Sequence, residues 1–236
     1  MSRLRQAARV RAQTARHRGD AVHCCVCDHS FDRFKDDWNR GNALCWRCGS
    51  HERHRAQWLL LPELLADARS LLHFAPEWCL RRRLRGLPGL RYVTADIDPA
   101  ADVDLRLDVT ALELRDGAFD AVICSHVLEH VPDDARAMAE LRRVTAPGGF
   151  ALVMVPLALD RERTYEDLAI TDPEERRREF LQDDHVRLYA PDVADRLRAA
   201  GFAVDVVDMG ARVGPEQAGR HRLLGSDLIF VCRPPA

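Results

Sequence analysis

The segment LLHFAPEW, residues 71–78, runs from an apolar strand pattern through a turn into a helix pattern. The same alternation of strand and helix patterns continues from residue 52 to the end of the chain. Seven strand patterns are interleaved with helices, and they read SLLHF, RYVTADI, VDLRLDV, FDAVICS, FALVMVP, FAVDVVDM and SDLIFVC. This order predicts an α/β fold built on a doubly wound, seven-stranded, mostly parallel Rossmann-like sheet. Ligands of such sheets bind at the carboxyl ends of the strands.

One connection between the predicted strands is unusually short. Helix patterns cover about 52–68, 77–85, 133–144 and 191–200, yet none lies between RYVTADI and VDLRLDV. Only about five residues separate ADI from VDLRL, whereas a parallel crossover usually needs a dozen or more. Either this connection has no helix, or one of the two strands is shorter or differently placed than its pattern indicates.

The length of 236 residues is sufficient for one α/β domain and a small satellite. No apolar run approaches the roughly 18 residues of a membrane span, and the arginine-rich start lacks the apolar stretch of a secretory signal. These features predict a cytoplasmic protein without a membrane partner.

Charge is distributed unevenly along the chain. Residues 1–58 carry 12 Lys and Arg against 6 Asp and Glu, so the remainder of this chain of net charge −2 is acidic. The acidic remainder argues against a broad phosphate-binding face on the main domain. Residues 1–20 form a predicted basic N-terminal arm, for which a solvated or frayed helix is favoured over a contact with nucleic acid.

Two Cys-x-x-Cys pairs near the start of the chain predict a metal site. The pairs are Cys24 with Cys27 and Cys45 with Cys48, separated by 17 residues that can fold back as a short hairpin. Four thiolates in this arrangement are typical of tetrahedral Zn²⁺ and leave no open position for catalysis. We therefore expect residues 21–51 to form a small zinc ribbon in which the metal is structural.

Other uses of these cysteines are open on the sequence alone. Two disulfides are disfavoured in a reducing cytosol, and a redox pair explains only one of the two Cys-x-x-Cys pairs. Cys25 could replace Cys24, but only Cys24 keeps the two-residue spacing in both pairs. His51 and His54 could also bind the metal, although they fit better in the helix after these cysteines.

The region from residue 52 to the end resembles class I S-adenosylmethionine-dependent methyltransferases. The run FDAVICSHVLEHVPDD followed by ELRRVTAPGGF is similar to the fourth strand of that family, the next helix and the turn into the fifth strand. The two cysteine pairs followed by CGSHERHR, with LHFAPE as the first strand and turn, resemble the subgroup with an N-terminal four-cysteine zinc ribbon. The resemblance implies a methyltransferase domain over residues 52–236.

The resemblance also implies a cofactor site. Asp96 corresponds to the acidic residue that binds the ribose hydroxyls, with Ile97 after it, and Asp108 corresponds to the residue that meets the adenine amino group, with Val109 beside it. A carboxylate at the carboxyl end of a strand is well placed to accept two hydroxyl hydrogen bonds. Ser125, at the end of the fourth strand, completes this side of the predicted site.

The turn after the first strand lacks the glycines of the family. Ala75 and Glu77 stand at the two glycine positions, and S-adenosylmethionine has no phosphate that would require bare backbone there. Glu77 is predicted to face the methionyl ammonium or the ribose, or else to be a plain first-turn helix residue. Arg53 or Arg55 could pair with the methionine carboxylate, although solvated arginines are the more common case.

Candidate catalytic residues lie after the fourth strand and at the end of a polar insertion. His126 and Glu129 belong to SHVLEH, and His185 lies near the end of residues 157–190, which the resemblance interprets as a lid over the acceptor. Any of the three could act as a base, since methyl transfer to a protonated acceptor requires loss of a proton. His130 of the same run is a further candidate. For His126, Glu129 and His130 a packing or cofactor-contact role is favoured over base catalysis, and for His185 the alternative is an orienting role or a bracing of the lid.

The residues directly after the fourth strand constrain the acceptor. The sequence there is CSHV and not the Asn/Asp-Pro-Pro-aromatic run that similar enzymes use for nucleobase or glutamine nitrogens. The preferred prediction is therefore methyl transfer to a small molecule, in secondary metabolism for example. The alternatives are an RNA methyltransferase that uses the zinc ribbon and basic arm, and a non-catalytic zinc-binding protein with a degenerate cofactor cleft.

Overall fold

The fold was analysed in a computed structural model that describes residues 3–37 and 40–235. The helices are α1 (Arg3–Arg16), α2 (Glu52–Leu64), α3 (Trp78–Leu84), α4 (Asp134–Val144), α5 (Pro173–Phe180), α6 (Val193–Ala199), α7 (Met209–Val213) and α8 (Pro215–His221). The strands are β1 (Arg18–Cys24), β2 (His29–Phe31), β3 (Lys35–Asp37), β4 (Arg40–Leu44), β5 (Ser70–Phe74), β6 (Arg91–Asp96), β7 (Leu105–Arg106), β8 (Phe119–Ser125), β9 (Thr145–Met154), β10 (Tyr165–Glu166), β11 (Arg187–Leu188), β12 (Ala203–Val207) and β13 (Ile229–Arg233). A single-turn 3₁₀ helix covers Leu128–His130.

The chain divides into two compact units. The first unit contains the described residues up to Leu64, together with Glu77–Gly86 and Asp208–Asp227. The second contains Leu65–Pro76, Leu87–Val207 and the residues from Leu228 onward. Of the helices, α1, α2, α3, α7 and α8 belong to the first unit, whereas the large sheet belongs entirely to the second.

The second unit is built on a seven-stranded sheet of order β12-β13-β9-β8-β5-β6-β7. Five neighbouring strands are parallel, and β13 pairs antiparallel with both β9 and β12. The chain proceeds outward from β5 through β6 to β7 and then crosses to β8 on the other side, so the direction of winding reverses between β5 and β8. The predicted doubly wound, mostly parallel Rossmann-like sheet is therefore confirmed.

The central strands are apolar because both of their faces are covered. Every residue of β5 is buried, and six of the seven residues of β8 are buried as well. Helix α4 begins where the Asp133 carboxylate accepts a hydrogen bond from the Arg136 N–H at 2.9 Å. Its apolar residues recur at helical spacing and pack into the core of the second unit, and they are Ala137, Met138, Leu141 and Val144.

The short connection is explained by a very short third strand. Only Leu105 and Arg106 form β7, and residues 97–104 join it to β6 without a helix. The Asp104 carboxylate accepts hydrogen bonds from the Thr94 N–H at 2.9 Å and the Thr94 hydroxyl at 2.6 Å, which fixes this loop against β6. The parallel strands β6 and β7 are therefore joined by a loop and not by a crossover helix. The pairing covers only two residues of β7.

The described part of the chain also contains elements that the sequence pattern did not predict. Helix α5 lies within the polar insertion, and α7 and α8 precede the last strand. Most of the basic residues of the N-terminal arm lie on α1, whose described side chains are mostly exposed, and Arg18 begins β1. Within residues 3–37 and 40–235, no helix is long and apolar enough to cross a membrane.

Candidate functional site

Four cysteine sulfurs converge in the first unit. The Sγ atoms of Cys24, Cys27, Cys45 and Cys48 all lie within 4.8 Å of one another. Cys24 and Cys48 are 3.6 Å apart, and Cys27 and Cys45 are 3.7 Å apart. A tetrahedron of sulfurs at a zinc–sulfur distance of about 2.3 Å has edges of roughly 3.8 Å, so the donor set fits Zn²⁺.

The electrostatics of this four-cysteine cluster favour a cation. Hydrogen bonds from the neighbouring thiols lower the pKa of Cys24, whereas the same contacts raise the pKa of Cys27, because a second thiolate beside the first is unfavourable. The Ser50 hydroxyl lies 3.1 Å from the Cys24 sulfur. Cys25 is outside the cluster, its thiol is 3.5 Å from the Arg55 carbonyl oxygen, and burial raises its pKa to about 12.

Arg55 has a structural role that the sequence did not indicate. Its side chain is fully buried and donates hydrogen bonds to the carbonyls of Ser50 at 2.8 Å, Ala43 at 3.0 Å and His221 at 2.6 Å. The guanidinium also lies over the Phe34 ring at 4.3 Å. The favoured prediction of a solvated arginine is therefore wrong for Arg55, and the alternative contact with a methionine carboxylate is disfavoured because three of its donors bind backbone carbonyls within the first unit.

Glu77, a predicted cofactor residue, lies beside His54 in the first unit. The Glu77 carboxylate lies 3.4 Å from the Nε2 atom of His54, and the sulfur of Cys79 lies 3.4 Å from the Nδ1 atom of the same ring. The ring of His51 packs edge-on against His54, and burial lowers the pKa of His51 to about 3. A cofactor role for Glu77 stays a prediction.

A cavity of about 750 Å³ opens in the second unit at the carboxyl ends of β5, β6 and β8. This is the edge of the sheet at which the winding reverses, the usual ligand site of such folds. Of the predicted site residues, those that line the cavity are Ala75, Asp96, Ile97, Asp108, Val109 and His126. Ser125 ends β8 with its side chain buried and is not part of the lining.

Two turns at the cavity have backbone conformations that are unusual for residues with a side chain. Ala75, directly after β5, has φ +44°, and His126, directly after β8, has φ +54°. Both are held by hydrogen bonds from their N–H groups, to the Ala95 carbonyl at 2.8 Å and to the Met154 carbonyl at 2.9 Å. Ala75 thus adopts the left-handed conformation for which glycine is usually selected, and such strain is concentrated at functional sites.

Among the described residues, the two predicted cofactor carboxylates have only local hydrogen-bond donors. Asp96 accepts from the Asp98 N–H at 3.0 Å, and Asp108 accepts from the N–H and the hydroxyl of Thr110, both at 2.8 Å. Each carboxylate retains lone pairs for a ligand. Ile97, next to Asp96, is 65% exposed and lines the cavity, so it adds an apolar surface beside the carboxylate.

Of the three predicted catalytic residues, His126 lines the cavity, and Glu129 and His185 lie beside a further histidine, His130, which also lines it. The Glu129 side chain is 1% exposed, and its carboxylate lies 3.2 Å from the Nδ1 atom of His126. Glu129, His130 and His185 each offer a ligand atom within 4.8 Å of the others. The rings of His130 and His185 pack edge-on with their centroids 4.7 Å apart.

Burial controls the charge of His185. Its side chain is almost completely buried, and desolvation lowers its pKa despite the opposing effect of the Glu129 carboxylate. Asp184 raises this pKa more weakly, because its carboxylate is 64% exposed. Burial therefore favours the neutral imidazole of His185, and the Glu129 and Asp184 carboxylates oppose this effect without outweighing it.

Arg187, which the sequence reasoning did not select, fixes the end of the insertion to the turn after β8. It is 1% exposed and donates to the carbonyls of Leu128 and Pro132, both at 2.9 Å, and to the Glu166 carboxylate at 2.9 Å. The Val186 N–H donates to the Glu129 carbonyl at 2.9 Å. In the sequence, Arg187 is distinguished only by its place in DDHVRLY, where it lies between the apolar residues Val186 and Leu188.

Part of the chain is similar to a described protein domain. A family model described as Methyltransferase domain matches residues 82–153. An uncharacterized methyltransferase of Mycobacterium sp. strain KMS is 40% identical over 75 residues, which is 28% of this chain and 30% of that protein. The chain spans about a third of the length of the curated relatives it matches.

Solved structures share the fold at low identity. The structure of the [4+2]-cyclase SpnF has 18% identity and a TM-score of 0.57, and the match covers 98% of this chain and 93% of that one. The 1,6-didemethyltoxoflavin-N1-methyltransferase of Burkholderia thailandensis, with bound S-adenosylhomocysteine, has 15% identity and a TM-score of 0.52, with 78% and 79% covered. Residues 82–153 thus match a methyltransferase domain model, and the fold is shared with a methyltransferase and with a protein named as a cyclase.

Proposed function

We infer that this chain transfers a methyl group from S-adenosylmethionine to a small-molecule acceptor. The observation that carries this proposal is the cavity at the winding reversal of the sheet, with Asp96 and Asp108 on its wall. The family match over residues 82–153 includes both of these residues. The volume of about 750 Å³ lies within the range of small-molecule sites.

The residues present fit S-adenosylmethionine. Asp96 would accept hydrogen bonds from the ribose hydroxyls, and Ile97 and Val109 would contact the adenine ring through apolar surface. Asp108 would accept from the adenine amino group. The left-handed turn at Ala75 brings the backbone to the cavity, although the small side chain at this position is not glycine. When bound, the cofactor supplies an electrophilic methyl group on a sulfonium.

Residues of the chain at the other end of the cavity would act on the acceptor. His126 lines the cavity, and its imidazole lies beside the buried Glu129 carboxylate, which can stabilise the protonated ring after it accepts a proton. Burial lowers the pKa of His185 and favours its neutral imidazole, which therefore could also accept a proton. The residues 157–190 would cover the acceptor, since Arg187 and Val186 fix this segment beside the same turn.

The four-cysteine cluster would hold structural Zn²⁺. Cys24, Cys27, Cys45 and Cys48 provide a complete tetrahedral set, so no position is open for an acceptor. The metal would stabilise the first unit by linking the turn after β1 to the turn before α2. Its contribution is to folding and not to the reaction.

Cofactor binding gives the test of the cofactor site. Calorimetry with S-adenosylhomocysteine should give micromolar affinity, and Asp96→Ala should weaken binding by about 1–3 kcal/mol, because buried hydroxyls lose their acceptor. Asp205→Ala is the matched control, as Asp205 is an exposed carboxylate on β12 that pairs with Arg233. If the wild-type protein gives neither heat nor a thermal shift, the methyltransferase proposal is wrong and the non-catalytic alternative is favoured.

An RNA acceptor is the second candidate, and one surface of the first unit supports it. A shallow pocket beside the second cysteine pair is lined by Arg47, Trp78, Arg82 and Arg83, among other residues. Trp78 is 59% exposed, and an exposed aromatic ring among arginines can stack on a base. RNA binding that weakens steeply with salt and is lost in Trp78→Ala would favour this function over a small-molecule acceptor.

A further inference from the structure

Glu129, His130 and His185 form a cluster of one carboxylate and two imidazoles. The proposed methyl transfer needs at most one of these groups as a base. One carboxylate and two imidazoles offer ligand atoms that all lie within 4.8 Å of one another. The three residues come from the 3₁₀ helix after β8 and from the end of the insertion, about 55 positions apart in the chain. Such a set of two histidines and one carboxylate is a recurrent transition-metal site in proteins.

The buried carboxylate supplies a second and independent observation. Glu129 is 1% exposed, and neither of its carboxylate oxygens has a hydrogen-bond partner among the described residues. Burial of an ionised carboxylate without hydrogen bonds costs several kcal/mol or more, so such a group usually has a cation beside it. The nearest candidate within the chain is His126, whose Nδ1 atom lies 3.2 Å away, but this contact does not satisfy both oxygens.

We propose that Glu129, His130 and His185 bind a divalent transition-metal ion at the acceptor end of the cavity. Metal binding at this site does not require the proposed methyl transfer. Its use, which rests on the proposed function, would be to hold and polarise an oxygen of the acceptor. Three protein ligands leave coordination positions open, and His130 is itself part of the cavity lining.

Neighbouring groups fit this assignment. The Asp184 carboxylate lies 3.4 Å from the Nδ1 atom of His130 and also lines the cavity, so it can orient the imidazole or add an oxygen ligand. Imidazole and carboxylate ligands favour Mn²⁺, Fe²⁺, Co²⁺ or Zn²⁺, and the absence of a thiolate distinguishes this set from the four-cysteine cluster.

Titration with Co²⁺ tests the proposal. The full chain is first given one equivalent of Zn²⁺ per chain, which fills the four-cysteine cluster and leaves the second site open, and Co²⁺ is then added while visible absorption, bound zinc and bound cobalt are measured. We expect one Co²⁺ per chain with the weak bands of nitrogen and oxygen ligands, and displacement by added Zn²⁺. Intense thiolate bands would instead show that Co²⁺ has replaced Zn²⁺ at the four cysteines, and these bands distinguish that process from binding at the second site.

Variants identify the ligands. Glu129→Gln and His185→Gln should weaken Co²⁺ binding by about 10- to 100-fold or more, as expected when a ligand is lost. His130→Gln provides a partly exposed third substitution in case a buried variant does not fold. Glu113→Gln, an exposed glutamate of the second unit, is the matched control and should bind Co²⁺ as the wild type does.

Two results would overturn the proposal. The first is that the zinc-loaded wild type binds no Co²⁺, and the second is that the ligand variants bind it as tightly as the wild type. In either case the His126–Glu129 ion pair accounts for the buried carboxylate. S-adenosylhomocysteine binding is measured on the same samples, so failure of the metal site is distinguished from failure of the cofactor site.

Discussion

Ala75 and His126 occupy equivalent places in the second unit, since each directly follows a central strand and each has positive φ. Both residues line the cavity. A residue with a β-carbon costs roughly 1–2 kcal/mol in the left-handed region, where glycine is accommodated without strain. The turn after β5 therefore has the left-handed backbone conformation that glycine usually adopts, although Ala75 stands there.

Replacing Ala75 by glycine should relieve this strain. We expect Ala75→Gly to raise the free energy of unfolding by about 0.5–1 kcal/mol, because the relief exceeds the entropic cost of glycine. Urea denaturation measures the change. The control Ala95→Gly, at a buried position of β6 with ordinary strand conformation, should instead be destabilising. Equal destabilisation by both substitutions would contradict the assigned strain.

His185 is predicted to act on the acceptor and not on the cofactor. His185→Gln should lower turnover by about 100-fold or more, because the variant loses a base or an orienting group, while the affinity for S-adenosylhomocysteine changes little. Steady-state kinetics with the acceptor and calorimetry with the product separate the two effects. Unchanged turnover, or an equal loss of cofactor affinity, would leave His185 a structural residue of the insertion.

At the scale of elements, the insertion is fixed to the 3₁₀ helix and to α4 by a small polar network. Arg187 bonds to carbonyls on both sides of the turn, and the Tyr189 hydroxyl donates to the Asp134 carboxylate at 2.7 Å. Asp134 also pairs with Arg196 of α6 at 2.8 Å. The segment between β9 and α6 is thus anchored at its C-terminal end, directly beside Glu129 and His130.

Removal of the anchor should loosen this segment. Arg187→Met is expected to cost about 3–5 kcal/mol of unfolding free energy, since it leaves carbonyls and the Glu166 carboxylate without their buried partner. Hydrogen exchange should increase across residues 157–190. Arg178→Met, on the exposed face of α5, is the matched control. Unaltered exchange in Arg187→Met would mean that the insertion is held by other contacts.

At the scale of the whole molecule, metal binding should stabilise the first unit, whereas protonation of histidines should destabilise both units. The four-cysteine cluster belongs to the first unit, whereas the cavity belongs to the second. Buried or half-buried histidines occur in both: desolvation lowers the pKa of His51 and His221 in the first unit and of His185 in the second.

We expect the purified protein to contain about one zinc per chain. Chelation should increase hydrogen exchange in residues 21–51 before it affects the second unit, because metal binding and folding of such modules are coupled. Cys24→Ser should lose the metal, whereas Cys25→Ser, the adjacent control whose sulfur lies outside the cluster, should retain it. Protein prepared without chelators that contains no zinc, or that has disulfides among these cysteines, would refute the assignment.

Stability should fall as the pH drops below about 6.5. His51, His185 and His221 have pKa values lowered by burial, so the unfolded chain binds protons that the folded chain does not. Each such histidine contributes a slope of at most about 1.4 kcal/mol per pH unit, and the stabilisation is present above the unfolded pKa. Urea denaturation between about pH 7 and pH 5 measures this slope. His51→Gln should reduce it, and an unchanged slope in that variant would contradict the prediction.

The sequence determined those features that depend on local patterns. Apolar runs between turns located all seven strands, and two Cys-x-x-Cys pairs identified the four sulfurs that converge. Residues directly after strand patterns were predicted to meet at one edge of the sheet, as Ala75, Asp96 and His126 do. These inferences are reliable because the period of a strand, the spacing of a turn and the direction of parallel strands follow from backbone geometry.

Tertiary structure decided the features that depend on residues distant in the chain. Arg55 binds the carbonyl of His221, 166 positions away, and Glu129 meets His185 only because the insertion returns to the turn after β8. Likewise, β7 is reduced to two residues by the loop that Asp104 fixes against Thr94. No local pattern specifies these contacts, since they arise from packing and from the need of buried polar groups for partners.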